Sequence, residues 1–255
     1  MRIISLNTWV GRVGKEKLLT FFKTHADTTD VFCLQEICAA PHPYLEGCLA
    51  GGVVLNNKQT MGYALREISE VLPNHVAFFR PHLGDNYGLL MLVRKEFRVI
   101  EEGEFFVYKQ KGFYSKADIG DHARLIQYVT IAAGTKVVTI INFHGLWNGK
   151  GKTDTEDRIQ QSKNILEFTS KLDGEYVLCG DFNLLPDTES LKLFEAAGLR
   201  NLIKEYKVSS TRTSFYKKPE KYADYIFVTK GIQVKDFKVL PDEVSDHSPL
   251  FIETR

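Results

Sequence analysis

The chain has 255 residues, 44% of them hydrophobic and 25% charged, with a net charge of +1 and a pI of about 7.7. That length supports a sizeable core, and the chain reads as one domain over residues 1–255. The balanced charge excludes a strongly basic nucleic-acid-coating protein while leaving room for a local basic cleft, and no apolar run is long enough for a membrane-spanning helix.

Met1 leads straight into a strand-like run, which leaves no place for a secretory leader. The four cysteines (Cys33, Cys38, Cys48, Cys179) lack metal-type spacing, and Cys33 and Cys179 fall inside apolar strands. The expectation is a reduced, cytoplasmic protein.

Arg2 to Trp9 reads as a first strand ending near Asn7. Lys15 to Thr24 carries Leu18, Leu19, Phe21 and Phe22 at helical spacing. Val31 to Glu36 is a second apolar strand. It closes on an ionisable residue, Glu36, whose burial costs several kcal/mol unless something pairs with it. Residues 38 to 57 are loop-like, and Lys58 to Leu72 reads as a helix stopped by Pro73. Strands are predicted over His75 to Pro81, Gly88 to Arg94, Phe97 to Tyr108 and Leu125 to Ala132, with a polar excursion from Lys109 to Asp121.

Lys136 to His144 is a core strand ending in a histidine. Thr153 and Glu156 have the spacing of a capping box, which predicts a helix from Asp154 to about Leu172. Tyr176 to Cys179 is a further buried strand, ended by Gly180 and followed by Asp181-Phe182-Asn183. Persisting strand geometry would aim Asp181 and Asn183 one way and Phe182 into the core, although Asp-Phe-Asn is also common in an Asx turn. Pro186 to Gly198 supplies a loop and a short helix. The remaining strands are predicted over Arg212 to Tyr216, Tyr222 to Thr229, Val234 to Leu240 and Pro249 to Glu253.

Polar groups at the ends of apolar strands form a series: Leu6-Asn7, Leu34-Gln35-Glu36, Phe143-His144, Gly180-Asp181-Phe182-Asn183, Asp224-Tyr225-Ile226 and Ser245-Asp246-His247. In this order and spacing they resemble the endonuclease/exonuclease/phosphatase superfamily, the deoxyribonuclease-I-like proteins, over residues 2–253. The resemblance implies an α/β fold, a four-layer α/β/β/α sandwich of two packed sheets flanked by helices. It also implies hydrolysis of phosphoester bonds by an activated water with Mg²⁺ or Mn²⁺. The oxygen-rich donor set suits such hard cations independently.

By the same resemblance, Glu36 is the principal metal ligand, with Asn7 and Asp246 beside it. Asp181, next to Asn183, orients or deprotonates the water. His247, held by Asp224, is the alternative base or stabilises the phosphorane, and His144 binds phosphate or assists the leaving group. Trp9 and His144 stand where the apurinic-endonuclease branch has an acid and a tyrosine, which turns the reading away from abasic-site repair. Arg158 and Gln161 match a helix pattern common in the superfamily, or else form an ordinary solvated face.

Lys109, Lys111, Lys116, Lys150, Lys152, Lys217 and Lys218 interleave with Tyr108, Phe113, Tyr114, Trp147 and Tyr216, which reads either as ordinary solvated loops or as a surface for a nucleic-acid phosphodiester, the substrate expected here; a monomer is also expected. The alternatives are a phospholipid, as in sphingomyelinases, an inositol or other soluble phosphate, and a non-catalytic binding domain of the same fold.

Overall fold

The computed structural model describes residues 1–42, 46–50, 53–133 and 136–255. Two six-stranded sheets are stacked. In chain order, the first contains β1 (Arg2–Asn7), β2 (Val31–Cys38), β5 (His75–Leu83), β6 (Tyr87–Arg94), β13 (Val234–Val239) and β14 (Leu250–Thr254). Across the sheet the order is β13-β14-β1-β2-β6-β5. The second contains β7 (Arg98–Tyr108), β8 (Arg124–Ala133), β9 (Lys136–His144), β10 (Glu175–Asp181), β11 (Arg200–Asn201) and β12 (Asp224–Val228), in the order β11-β12-β10-β9-β8-β7. Each sheet has one parallel pair near its centre, β1 with β2 and β9 with β10. Those strands therefore end on the same side, bringing Asn7, Glu36, His144 and Asp181 to one rim.

The alternation of side chains explains the layers. Ile4 and Leu6 of β1, Phe32 and Leu34 of β2, and Leu90 and Leu92 of β6 pack on α1 (Lys15–His25) and α2 (Ala64–Val71) through Leu18, Phe22 and Ile68. Their neighbours Ile3, Val31, Cys33, Met91 and Val93 face the second sheet. The far side of that sheet is covered by α3 (Glu156–Thr169), α4 (Glu189–Ala196) and the short α5 (Leu202–Glu205), through Ile165, Leu191, Phe194 and Leu202. This is the expected four-layer sandwich. A buried polar bridge pins the two sheets near the rim: Gln35 Nε2 donates to Asn142 Oδ1 at 2.7 Å, and Asn142 Nδ2 donates to the Leu34 carbonyl at 3.0 Å.

Several local expectations are corrected. Lys58 to Leu72 is not one helix: a 3-10 turn covers Asn57–Gln59 and α2 begins only at Ala64, past Gly62, a poor helix residue. Within the expected loop 38–57, β3 (Leu49–Ala50) pairs with β4 (Val53–Val54), while residues 43–45 and 51–52 lie outside the described residues. The cap of α3 is Thr155 rather than Thr153. Its Oγ1 accepts from Arg158 N at 3.3 Å, and Asp154 instead caps α4, accepting from Glu189 N at 2.6 Å and Ser190 N at 3.0 Å. The helix also stops at Thr169, short of Leu172.

Arg212 to Tyr216 forms no strand. Arg212 makes a single bridge to His247, and Tyr216 N turns back to the Thr213 carbonyl at 3.2 Å. Gly180 does not end its strand, since β10 continues to Asp181. It is glycine because the backbone is at φ +143° and a Cβ would sit 1.9 Å from the Phe143 carbonyl oxygen.

Candidate active site

Glu36 reaches the rim through a bulge. The β2–β6 register shifts between Leu34 and Ile37, and Glu36 has φ +59°, so its carboxylate leaves the pleat of the sheet. Asn183 is likewise at φ +55°, and its N–H donates to Asp181 Oδ1 at 2.8 Å. The Asx turn and the polar cluster are therefore one structure. Phe182 turns inward against Phe143, Phe194, Tyr225 and Phe227.

Asn7 Nδ2 donates to Glu36 Oε1 at 3.0 Å and to Asp181 Oδ2 at 2.9 Å, while Asn7 Oδ1 accepts from Trp9 N at 2.9 Å. The amide thus bridges two carboxylates, and ligation through Oδ1 would require it to turn and release the Trp9 N–H. His144 Nε2 lies 3.7 Å from Asp181 Oδ2 and 3.9 Å from Glu36 Oε1. His247 Nδ1 faces both oxygens of Asp224 at 2.8 and 2.9 Å, and its Nε2 lies 3.6 Å from Asp181 Oδ2 and 3.7 Å from Asp246 Oδ1. Glu36, His144, Asp181, Asn183, Asp246 and His247 line a cleft of about 390 Å³. Asn7 and Asp224 stand behind it and hold its lining residues.

Arg212 and Lys152 are cations of the cleft that the sequence did not single out as site residues. Arg212 Nη1 pairs with Asp246 Oδ2 at 3.2 Å. Lys152, buried, donates from Nζ to Asn183 Oδ1 at 2.8 Å and sits over the Trp147 ring. Arg158 and Gln161 are buried, which excludes a solvated face. Arg158 donates to the carbonyls of Leu146, Gly151 and Thr153, and Gln161 Oε1 accepts from Leu146 N. Together they fix the loop that presents Trp147 and Lys152. The capping-box spacing carried no signal for that role. Of the expected basic and aromatic loop residues, Trp147, Lys152, Tyr216, Lys217 and Lys218 line the cleft, whereas Lys109, Lys111, Lys116 and Lys150 do not.

The electrostatics split the acids. Burial raises Glu36, and the neighbouring Asp246 and Asp181 add to it, outweighing the Asn7 hydrogen bond and His247. Burial also opposes ionisation of Asp181, but His247, Lys152, His144 and Arg212 together hold it well below the usual carboxylate range. Burial and Arg212 press His247 toward its neutral form, and Asp224, Asp246 and Asp181 reverse this, so it is raised. His144 is lowered by burial and by Arg124.

Among the described residues, one ligand atom each from Asp181, Asp224 and His247 lie within 4.8 Å of one another, a group that includes the Asp224–His247 pair but neither Glu36 nor Asp246, whose carboxylates offer the oxygen donors that a hard divalent cation takes. With its buried acids, paired histidines and flanking cations, the site can hold water and a phosphate against a metal.

Residues 4–247 match the model of the Endonuclease/Exonuclease/phosphatase family. The chain belongs to that family, whose members are hydrolytic phosphoesterases. No curated protein sequence matches it. Among solved structures, it is similar to a mannosyl-6-phosphatase of Bacteroides thetaiotaomicron (18% identity, TM-score 0.74, covering 100% of this chain and 99% of the other). A family protein from Leptotrichia buccalis aligns with 21% identity, TM-score 0.70 and the same coverage. The human Nocturnin catalytic domain aligns with 17% identity, TM-score 0.65 and coverage of 100% and 93%. At these identities the likeness concerns the fold. Among the described residues, no helix is long and apolar enough to cross a membrane.

Proposed function

We propose that residues 1–255 act as one divalent-metal-dependent phosphoesterase domain, hydrolysing a phosphate ester by in-line attack of water. The observation that carries this reading is the convergence of Glu36, Asp181, Asp246, His144 and His247 on one cleft. Glu36 and Asp246 would hold Mg²⁺ or Mn²⁺, with Asn7 fixing the Glu36 and Asp181 carboxylates. Such an ion supplies charge neutralisation and polarises the phosphoryl oxygen.

Asp181, kept ionised, accepts a hydrogen from the attacking water, and Asn183 and Lys152 hold its loop. His247, kept protonated against Asp224, donates from Nε2 to a phosphoryl oxygen as charge develops there. The water oxygen bonds to phosphorus as the opposite P–O bond breaks. The leaving oxygen departs on the His144 side, where the neutral imidazole donates to it or to the phosphate.

The cleft supports a compact phosphate ester as substrate, because its volume is that of a small-molecule site and much of the expected basic surface lies off it. A nucleic-acid phosphodiester is the second reading. It is favoured by Trp147, flanked by Lys152 and Lys218 at 5.2 and 5.3 Å, and by Arg212 over Tyr216 at 4.0 Å, a wall able to receive a base.

The test is hydrolysis of 4-nitrophenyl phosphate, bis(4-nitrophenyl) phosphate, sugar 6-phosphates, single- and double-stranded DNA and RNA, with Mg²⁺, Mn²⁺ or EDTA. Metal-dependent turnover should appear and fall on the order of 10²–10⁴-fold in Asp181→Asn. Absence of turnover on every ester with every metal would refute the proposal.

A further inference from the structure

Arg124 opens β8 and is 1% exposed, yet it lines the catalytic cleft. Its Nη2 donates to the Gly120 carbonyl at 2.8 Å, while Nε and Nη1 have no partner. No acidic side chain among the described residues forms an ion pair with it. A buried guanidinium without a paired anion costs several kcal/mol, and Glu36, Asp181 and Asp121 act on Arg124 only from beyond ion-pair distance.

The two adjoining histidines add no negative charge. His82 and His122 stack with centroids 4.9 Å apart and 10° between planes, and burial, then Arg124, keeps both neutral. His122 Nδ1 donates to the Ile119 carbonyl at 2.7 Å, which leaves Nε2 as a hydrogen-bond acceptor, and that atom has no partner either. The surroundings therefore present free donors on Arg124 and a free acceptor on His122.

Their place in the sheets separates them from the reacting centre. Across the second sheet, Asp181 lies on β10, His144 on β9 and Arg124 on β8, two strand spacings or about 10 Å from Asp181. Arg212 and Lys152, which flank Asp246 and Asn183, are on the other side of His144.

We propose that Arg124 and His122 form a second anion subsite of the cleft, binding a phosphate or carboxylate that the substrate carries beyond its scissile phosphate, on the His144 side. Arg124 takes the anionic oxygens, and His122 Nε2 accepts from a hydroxyl on or next to that group. The subsite gives a role to both unpaired groups and makes the enzyme selective for esters with two acidic groups. Its catalytic meaning rests on the phosphoesterase reading; its anion binding does not.

Two measurements test it. Calorimetric titration with inorganic phosphate in EDTA, compared across variants, separates the contribution of Arg124 from those of Arg212 and Lys152 in the same cleft. Wild type and the surface control Lys109→Met should bind, Arg124→Met should bind at least tenfold more weakly, and Arg124→Lys should lie between. Thermal unfolding of each variant establishes that it is folded, and Arg124→Lys carries the test should Arg124→Met not fold.

With Mn²⁺, the ratio of kcat/KM for a two-anion ester to that for bis(4-nitrophenyl) phosphate should fall at least tenfold in either Arg124 variant. A fall confined to fructose 1,6-bisphosphate identifies a small substrate, and one confined to a 5′-phosphorylated oligonucleotide identifies a nucleic-acid backbone. An unchanged ratio, or phosphate binding that is absent in wild type or equal in folded variants, overturns the subsite. If wild type hydrolyses no ester, the phosphoesterase reading fails while the phosphate titration still decides the subsite.

Discussion

Gly180→Ala tests the link between backbone packing and the site. A Cβ at this position would sit 1.9 Å from the Phe143 carbonyl oxygen, and reaching an ordinary 3.4 Å contact needs about 1.5 Å of movement. The obstacle is backbone in a parallel pair, so no side-chain rotation relieves it. Gly180 is in register with Phe143, and the next pair is Asp181 with His144, so the strain enters one residue from the 3.7 Å His144–Asp181 contact. Overpacking costs about 1–3 kcal/mol, and a non-glycine residue at this φ about 1–3 kcal/mol more. The total of about 2–6 kcal/mol corresponds to a fall in Tm of roughly 5–20 °C for a chain of this size. Displacement by an ångström in a catalytic cluster costs on the order of 10² in rate. Urea unfolding at neutral pH and turnover of bis(4-nitrophenyl) phosphate with Mn²⁺ measure the two effects. A Gly180→Ala protein with both wild-type stability and wild-type turnover would refute the argument that this close approach sets the site.

Glu36→Gln should raise the stability of the metal-free protein, because burial, Asp246 and Asp181 already disfavour the carboxylate, and should weaken Mg²⁺ or Mn²⁺ binding; thermal melts in EDTA and metal calorimetry check the pair. Lys152 is pushed down to about 8, mainly by burial, with Arg212 and Arg158 adding to it against Asp181 and Asp224. Between that value and its unfolded value near 10.5 the unfolded chain binds the extra proton, so stability from this residue rises with pH, by up to about 3 kcal/mol. The wild-type-minus-Lys152→Met difference in unfolding free energy, followed from pH 7.5 to 10.5, should show that rise, and a flat difference would contradict it. Thr155→Ala should cost about 1 kcal/mol as loss of the α3 cap, and Thr153→Ala much less, by urea unfolding.

The parts of the fold that could be read in the sequence are those where periodicity and burial coincide. The apolar runs of β1, β2, β9, β10 and β12 are continuous because both faces are covered, and each carries at its rim end a polar residue that packing does not require, which for β12 is its first residue, Asp224. The corrected features depend on distant partners. Thr155 outcompetes Thr153 as a cap because Asp154 is engaged by α4, 35 residues on. Arg212 lies in a segment whose composition suits a strand, but Thr211 is committed to the backbone of Ala223, Asp224 and Ser248, which turns Arg212 onto Asp246. Lys152 looked like one loop lysine among several, since only the burial of Arg158 brings its loop against Asn183. Arg124 gave no signal, because a lone arginine at a strand start is ordinary until it proves to have no ion-paired acid.

The seating of β14 between β13 and β1 has a consequence for synthesis on the ribosome. β1 is made well before β14, yet its partner on one edge spans Leu250–Thr254, with Arg2 in register with Glu253. Until that segment arrives, β1 has an open edge, and Asp246 and His247, just upstream of β14, cannot meet Asp181. A nascent or prematurely terminated chain would thus carry Glu36, His144 and Asp181 without Asp246 and His247, and its cleft would be incomplete. The same long-range closure makes late pairing a slow step in folding.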